Sequence, residues 1–445
     1  MTMFDDTVGG RTVPASQIAR LTRLGALASG VAGSAAAEGF RSLARGERPA
    51  VRDLLLTPGN ARRVADQLAR MRGAAMKVGQ LLSMETGELL PSEMTEILAR
   101  LRSEAEFMPP RQLKSVLSAN WGSDFVRRFE RFDVRPIAAA SIGQVHRARS
   151  RDGRDLAIKV QYPGVRRSIE SDVDNVAALV RMTGLLPSGL DLAPLLAEAK
   201  AQLHEEADYN REAACLIRFG TLLRDAPEFV VPGCAPDLTT DSILAMDFAP
   251  GHAVEDVTLA EQAVRDRVAT VLIDLVLREL FEFGLMQTDP NFANYRYDSA
   301  SRRIVLLDFG ATREVSLAVS EGYALMLRAG LADDQDGMTS AAHTLGLFDE
   351  TTAPHHVAAM VEMTARVCAQ FRAAGPYDFG RSTLPQDLRD AGLDLALDQS
   401  FTHIPPMDTL FVQRKLAGVF LLATRLRARV DLHGLLAARL PPAAV

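Results

Sequence analysis

Hydrophobic residues recur with different spacings in successive parts of the chain. Up to about residue 110 they recur at three- and four-residue steps, which predicts amphipathic helices. From about 125 to 165, short runs typical of β-strands replace them. Two of these runs, 145–148 and 156–160, flank a turn at 151–153 and predict a β-hairpin.

Helical spacing returns over 168–222, and strand-like runs follow at 227–233 and 241–251. From 255 onward the pattern is mainly helical, apart from a strand pair around 294–308. An antiparallel β piece, a helix, further strands and a helical lobe in this order form the layout of a two-lobed phosphotransferase. We therefore expect an α+β fold.

Length and composition fit this layout. With 445 residues, of which 47% are apolar and 24% charged, the chain is an ordinary globular protein with room for two or three packed units. We predict a bilobal, protein-kinase-like fold. It has an N-terminal helical extension over 1–110, an N-lobe over 111–250 and a mainly helical C-lobe over 251–445.

Three widely spaced cysteines without a C-x-x-C pair argue against a disulfide framework or a zinc site, and favour a reducing compartment. The N-terminus lacks the basic start and apolar core of a secretory signal. The best candidate for a membrane span, 268–286, carries four charged residues and fits a buried amphipathic helix better. We expect a cytoplasmic protein without a transmembrane helix or signal peptide.

Arginines are concentrated near the N-terminus. Residues 1–72 hold eleven arginines against six acidic residues, although the whole chain has a net charge of −6. This asymmetry permits peripheral contact with anionic lipid at the inner face of a membrane. An ordinary solvated basic face explains it equally well, and the sequence leaves both interpretations open.

Lys159 lies in a strand that follows the predicted hairpin. A lysine buried there needs an anionic partner, which nucleotide phosphates and a helical carboxylate can supply. Taken alone, such a lysine is more often an exposed charge at a sheet edge. The motifs downstream reverse this preference.

Asp289 and Asn294 have the D-x-x-x-x-N interval of a kinase catalytic loop, and Asp308 begins an Asp-Phe-Gly motif after an apolar strand. Asn294 and Asp308 offer the hard oxygen ligands that Mg²⁺ prefers, and Mn²⁺ is the alternative ion. Asp289 can orient or deprotonate the attacking nucleophile. The motifs therefore predict a site for Mg²⁺ with ATP or ADP.

Two features depart from ordinary protein kinases. The stretch 138–141 is rich in alanine where a glycine-rich loop belongs, and alanine Cβ atoms limit close backbone approach to phosphates. Gln287 and Thr288 precede Asp289 in place of His-Arg, and no Ala-Pro-Glu follows Asp-Phe-Gly. A conventional peptide-docking segment is therefore not expected.

Together these motifs resemble the UbiB family of atypical kinases, also called the AarF-domain family. The resemblance runs from about residue 20 to about residue 430 and is closest to the branch that acts in mitochondrial ubiquinone biosynthesis. The motifs that carry it are Lys77-Val78-Gly79-Gln80, Ala138-Ala139-Ala140-Ser141, Ala157-Ile158-Lys159, Glu206-Ala207-Asp208, Arg211-Glu212-Ala213-Ala214-Cys215, Gln287-Thr288-Asp289-Pro290-Asn291, Asp308-Phe309-Gly310 and Arg414-Lys415-Leu416-Ala417-Gly418.

The resemblance implies a role for each group of site residues. Asp289 handles the nucleophile, while Lys159 binds the α- and β-phosphates and is oriented by Glu212. Asn294 and Asp308 hold the metal. The residues implied to contact the nucleotide are Ala138, Ala139, Ala140, Ser141, Lys159, Met246 and Phe248. Met246 and Phe248 are implied to lie at adenine, and an edge strand that turns at Pro250-Gly251 is the alternative interpretation of their run.

The resemblance also implies a regulatory contact. The motif of Lys77, Gly79 and Gln80 folds across the active site in this family and meets the pair Glu206 and Asp208. From spacing alone, Lys77 and Gln80 share one helical face, and an exposed amphipathic surface is the simpler interpretation. Glu206 and Asp208 lie about 200° apart on a straight helix, so the helix starts or bends there, or the two carboxylates serve different partners.

We therefore expect an atypical kinase or ATPase that supports isoprenoid quinone biosynthesis at a membrane surface. Its expected partners are adenine nucleotide, anionic lipid and quinone precursors or the enzymes that make them, with a homodimer as one oligomeric state and no nucleic acid. Two alternatives stay open. One is a nucleotide-binding pseudokinase that acts as a scaffold or chaperone for lipid enzymes, and the other is a protein Ser/Thr kinase.

Overall fold

The computed structural model describes residues 71, 73–75, 77–79, 107–182, 192–398, 403 and 405–442. Most of the predicted helical extension over 1–110, including Gln80, lies outside these residues, so the three-part division stays a prediction. The chain divides into two compact units. Unit 1 contains the described residues up to 213 together with 234–248, and unit 2 contains 214–233 and the described residues from 249 onward.

The strands of the described chain are β1 Phe129–Phe132, β2 Ala138–Ala139, β3 Gly143–Ser150, β4 Asp155–Gln161, β5 Phe229–Val230, β6 Ile243–Asp247, β7 His252–Ala253, β8 Leu285–Gln287, β9 Tyr295–Asp298, β10 Arg303–Leu306, β11 Thr312–Glu314, β12 Tyr377–Asp378 and β13 Arg429–Val430. The predicted hairpin is confirmed as β3 and β4. Gly153 in its turn has φ +90°, a conformation that favours glycine.

The helices are α1 Pro110–Trp121, α2 Val165–Met182, α3 Ala193–Glu206, α4 Tyr209–Leu222, α5 Gln262–Arg278, α6 Leu317–Leu331, α7 Gln335–Thr344, α8 Pro354–Arg372, α9 Leu384–Leu397, α10 Met407–Arg425 and α11 Leu432–Arg439. Among the described residues, no helix has both the length and the apolar character that a membrane crossing requires.

Unit 1 is built on an antiparallel sheet with the strand order β1-β3-β4-β6, and β2 pairs with β3. Alternate residues of the central strand β4, Leu156, Ile158 and Val160, are fully buried, as the period of two in a strand requires. Against this sheet packs an aromatic cluster that includes Trp121 and Phe129, whose ring centroids are 5.4 Å apart. This packing therefore fixes the position of β4 and of its side chains.

The boundary between α3 and α4 places the acidic residues that the sequence singled out. α3 ends at Glu206, and α4 begins at Tyr209. Asp208 lies between the helices, where its Oδ1 accepts the N–H groups of Asn210 and Arg211 at 3.1 Å each. This is a helix-capping contact, which satisfies N–H groups that have no partner inside the helix.

Unit 2 contains a sheet with the order β5-β10-β9-β7 and a separate pair of strands, β8 and β11. α5 supplies much of its core and continues into a π-helical turn, Glu279–Phe283, which ends at Gly284 with φ +56°. The chain then enters β8. The stretch 268–286 is thus a buried helix followed by a strand, and its helical part is confirmed.

Candidate active site

Lys159 of β4 and Glu212 of α4 form a buried ion pair in unit 1. Lys159 Nζ lies 2.8 Å from Oε1 and 2.9 Å from Oε2 of Glu212, and the two residues are 8% and 1% exposed. The ammonium also lies 5.2 Å from the centroid of the Tyr209 ring. Glu212 stands in the first turn of α4, where a carboxylate is favoured by the helix dipole. The carboxylate therefore holds the ammonium in one orientation.

The alanine-rich stretch forms a tight hairpin between β2 and β3. Ala138 pairs with Val145, Ala139 pairs with Gln144, and Ala140 N–H donates to Gly143 O at 2.9 Å.

Gly143 follows this turn at a position where no side chain would fit. A Cβ atom at Gly143 would lie 2.4 Å from the Val160 carbonyl oxygen and 2.9 Å from the Tyr209 hydroxyl. The turn is therefore held directly against β4, the strand that carries Lys159.

The N-terminal motif contacts the alanine-rich turn through Glu206. Lys77, which is buried, forms an ion pair with Glu206, and Ser141 Oγ donates to Glu206 Oε2 at 2.8 Å. Glu206 and Asp208 were both implied as partners of the Lys77 motif. Glu206 makes the contact, while Asp208 caps α4. Gly79 is buried and helical.

Two of the residues implied to contact the nucleotide lie at the end of β6, Met246 within the strand and Phe248 directly after it. Met246 is buried and pairs with Ala157 of β4. The Phe248 N–H donates to the Asp155 carbonyl at 2.8 Å, and the Arg147 guanidinium stacks on the Phe248 ring at 4.0 Å. Phe248 therefore has an intramolecular partner for both its amide and its ring.

The catalytic-loop motif lies in unit 2, between β8 and β9. Asn294 Nδ2 donates to Asp289 Oδ2 at 3.1 Å, and Arg414 Nη2 of α10 lies 3.3 Å from Asp289 Oδ1. Both carboxylate oxygens of Asp289 are thus oriented by a donor. The Asn291 side chain accepts the Ala293 N–H and begins the 3₁₀ turn that presents Asn294.

The Asp-Phe-Gly segment is anchored beside this loop. The Leu307 N–H donates to Asn294 O at 3.0 Å, and the Gly310 N–H donates to Asp308 Oδ1 at 2.9 Å. Phe309 is 2% exposed and contacts Phe219, with ring centroids 4.9 Å apart. The buried ring fixes the segment, so that Asp308 and Asn294 lie on neighbouring, hydrogen-bonded backbone.

This arrangement agrees with the comparisons to known proteins. Residues 100–342 match the ABC1 atypical kinase-like domain. The chain belongs to the ABC1 family of atypical kinase-like proteins. The family resemblance and the kinase-like character predicted from the motifs are therefore confirmed.

Two curated ABC1 relatives show how far the similarity extends. The chain is 37% identical over 427 residues to the mitochondrial atypical kinase COQ8 of Saccharomyces cerevisiae, a match that covers 96% of this chain and 85% of the yeast protein. It is 38% identical over 427 residues to the mitochondrial atypical kinase COQ8B of Rattus norvegicus, covering 94% of this chain and 80% of the rat protein.

A solved structure shares the fold. The structure of Rv3197 from Mycobacterium tuberculosis, in complex with erythromycin, aligns with a TM-score of 0.60 and 24% identity, over 84% of this chain and 94% of that one. The predicted α+β kinase-like fold is confirmed.

The ABC1 site fits a hard divalent cation. Asn294 uses its Nδ2 for Asp289, which leaves the side-chain oxygen Oδ1 as a ligand. Asp308 adds a carboxylate, and oxygen donors of this kind suit Mg²⁺. Asn294 and Asp308 would therefore hold the ion, which would neutralise charge on the nucleotide phosphates.

Three residues of α10 that lie against the catalytic loop or its flanks were not assigned a role from the sequence. Arg414 reaches Asp289, and Lys415 is fully buried. A Cβ atom at Gly418 would lie 2.1 Å from Pro290 Cβ, so the helix approaches the loop closely. The signal in the sequence was the charged pair Arg414-Lys415 within an apolar helical run, followed by glycine one turn later.

One further group in the described chain combines the residue types of a metal site: His355, His356 and Asp398. His356 Nε2 lies 2.9 Å from Asp398 Oδ2 and His355 Nε2 lies 3.4 Å from it. Direct hydrogen bonding accounts for these contacts, and none of the three residues belongs to the motifs above.

Proposed function

We propose that this ABC1 protein binds Mg²⁺ and adenine nucleotide and transfers or hydrolyses the γ-phosphate of ATP. The observation that carries the proposal is the buried pair of Lys159 and Glu212. A buried ion pair is a poor device for stability alone, because desolvation offsets most of the attraction. In kinases a strand lysine held by a helical glutamate binds nucleotide phosphates.

The remaining roles follow from the contacts of each side chain. Lys159 would bind the phosphates, and Asn294 and Asp308 would hold the cation. Asp289 would orient or deprotonate the nucleophile through a carboxylate that Asn294 and Arg414 keep in place. The turn 138–141 would cover the phosphates. Met246 would contact adenine, and Phe248 would contact the nucleotide through a group other than its amide, which donates to the Asp155 carbonyl.

The biological role we propose is support of isoprenoid quinone biosynthesis at an anionic membrane surface. Its basis is the similarity to the COQ8 and COQ8B atypical kinases, whose names place them in mitochondria. A cytoplasmic location, a peripheral membrane position and a homodimer stay predictions. The contacts that tie Lys77 to Glu206 and Glu206 to Ser141 favour a covered site over an open peptide groove, which weighs against an ordinary Ser/Thr kinase.

Phosphate release from Mg²⁺·ATP by the purified full chain tests the proposal, with and without liposomes that contain anionic lipid. We expect turnover that anionic lipid stimulates and that Asp308→Asn abolishes. Asp378→Asn, which changes a carboxylate of β12 outside the site, is the matched control and should keep turnover. Nucleotide binding without turnover in any condition would support the scaffold alternative instead.

A further inference from the structure

Lys415 has an unusual environment for a lysine. It is 1% exposed, and its Nζ lies 2.9 Å from Gln287 Oε1, 2.7 Å from the Tyr295 hydroxyl and 3.7 Å from Glu279 Oε2. All three partners are themselves buried. The ammonium therefore sits among three convergent oxygen atoms, an arrangement that suits its three donors.

Lysine is rare among the basic residues of this chain. Only five of the fifty basic residues are lysines, and the rest are arginines. Three of these lysines, Lys77, Lys159 and Lys415, are buried, and each lies within an ion-pair distance of a glutamate. An ammonium is a compact charge with three rotatable donors, whereas a guanidinium presents its donors in a rigid planar fork, so the two groups need differently shaped sets of acceptors.

Stability alone does not explain Lys415. The pKa of Glu279 is raised to about 7 because burial disfavours the carboxylate by more than the nearby Lys415 ammonium favours it. Burial also opposes the charge of Lys415, although the attraction of Glu279 and Tyr295 leaves its pKa raised. Two buried charges in an apolar core are often no better for stability than well-packed hydrophobic residues.

Two of the three partners of Lys415 lie on either side of the catalytic loop. Gln287 ends β8 and Tyr295 begins β9, so the two residues flank 288–294, the segment that carries Asp289 and Asn294. β8 and β9 belong to different sheets, and no strand pairing joins them directly. Lys415 contacts both flanks with a single group.

Glu279 strengthens the same connection. It is the first residue of the π-helical turn that precedes β8, and its Oε1 accepts the Gln287 N–H at 3.3 Å. Such turns recur at functional sites because they redirect a helix locally. Glu279 thus binds the backbone N–H of Gln287 at the start of the loop, while Lys415 binds the side chain of the same residue.

We propose that Lys415 is a positioning residue that holds the two flanks of the catalytic loop, Gln287 and Tyr295, at a fixed separation and thereby places Asp289 and Asn294. The proposal deepens the proposed function and rests on it for its catalytic consequence. Its structural part, order in 288–294, is measurable whether or not the protein turns over ATP.

The decisive variants separate positioning from stability. Lys415→Met leaves Glu279 buried without its cation and should lower the melting temperature. The double variant Lys415→Met with Glu279→Leu replaces both charges by apolar groups and should recover most of that loss. Neither variant restores the bonds to Gln287 and Tyr295.

We expect both variants to show faster hydrogen–deuterium exchange in 288–294, and kcat about 100-fold below that of the unmodified chain with KM for ATP within about threefold. Lys415→Arg, which keeps the charge with the wrong shape, should not rescue kcat. Leu117→Ala removes apolar contacts in the core of unit 1, whereas the loop belongs to unit 2, so it should lower the melting temperature without changing exchange in 288–294.

Exchange in 288–294 equal to that of the unmodified chain, in a double variant that has regained its stability, would overturn the proposal. If Lys415→Met does not fold, the double variant and Tyr295→Phe, which removes one partner hydroxyl, decide the same question. If the unmodified chain shows no turnover, the proposed function fails, and the exchange measurement still decides the role of Lys415.

Discussion

Unit 1 and unit 2 each contain a buried lysine beside a buried glutamate, and the two ammonium groups have different surroundings. Lys159 lies within 2.9 Å of both oxygens of Glu212. Lys415 is 3.7 Å from Glu279 and makes its short contacts to the neutral groups of Gln287 and Tyr295.

One pair of residue types can thus serve two purposes. A glutamate whose two oxygens both contact one ammonium fixes the orientation of the lysine. The lysine can then bind an anionic ligand. A glutamate at a longer distance leaves the lysine to bind other groups at short distance. The first arrangement suits nucleotide binding and the second suits the support of a loop.

We expect the largest effect when the Lys159–Glu212 pair of unit 1 is broken. Lys159→Met should reduce turnover by about 10³-fold or more and weaken ATP binding, because the phosphates lose their cation. The double variant Lys159→Met with Glu212→Leu should regain stability without regaining ATP affinity. Isothermal titration with ATP and a thermal melt measure both quantities. Unchanged ATP affinity in Lys159→Met would remove the functional distinction between the two pairs.

A second prediction concerns the helix that carries Lys415. Gly418→Ala should destabilise the protein by about 1–3 kcal/mol and lower turnover, because the new methyl group meets Pro290 in the catalytic loop. Gly392→Ala is the matched control, since nothing lies within 4 Å of its added methyl group, and should stabilise α9 by about 0.5–1 kcal/mol. Urea unfolding of both variants tests this, and equal effects would contradict close packing at Gly418.

A third prediction tests the third buried lysine, which unit 1 pairs with Glu206. Lys77→Arg replaces the compact ammonium with a wider guanidinium, and Ala140→Gly loosens the turn beside Ser141. Both changes should raise autophosphorylation if the N-terminal motif restricts access to the nucleotide. Lys114→Arg, at an exposed lysine of α1, serves as the control. Labelling that does not change in either variant would exclude a gating role for this contact.

The smallest expected effect is a pH dependence that belongs to unit 2. The pKa of Glu279 is about 7 in the folded chain, against an ordinary value of 4.5, because burial disfavours its charged form. Between these values the folded chain keeps a proton that the unfolded chain has lost, so Glu279 makes the free energy of unfolding fall as pH rises from 4.5 to 7.

Glu279→Gln removes this contribution, so the stability of the variant relative to the unmodified chain should increase with pH across that window. Urea unfolding at pH 5 and pH 7 gives the comparison. Parallel stabilities at the two pH values would show that Glu279 keeps an ordinary pKa and stays ionised beside Lys415.

The amino-acid sequence was enough to predict the family, the α+β kinase-like fold and the residue types of the candidate site. Motifs such as Asp289 to Asn294 and Asp308-Phe309-Gly310 are local, and their spacing carries the chemistry of metal and phosphate binding. The β3–β4 hairpin was equally readable, because a period of two and a glycine turn are properties of neighbouring residues.

The three-dimensional structure was needed to show which distant groups meet. It assigned Glu206 to Lys77 and gave Asp208 to a helix cap, a choice that depended on where α3 ends. It also placed Lys415 against Gln287, 128 residues earlier in the chain. No periodicity spans such a distance, because contacts between separate elements depend on how their buried faces pack and not on the spacing within either one.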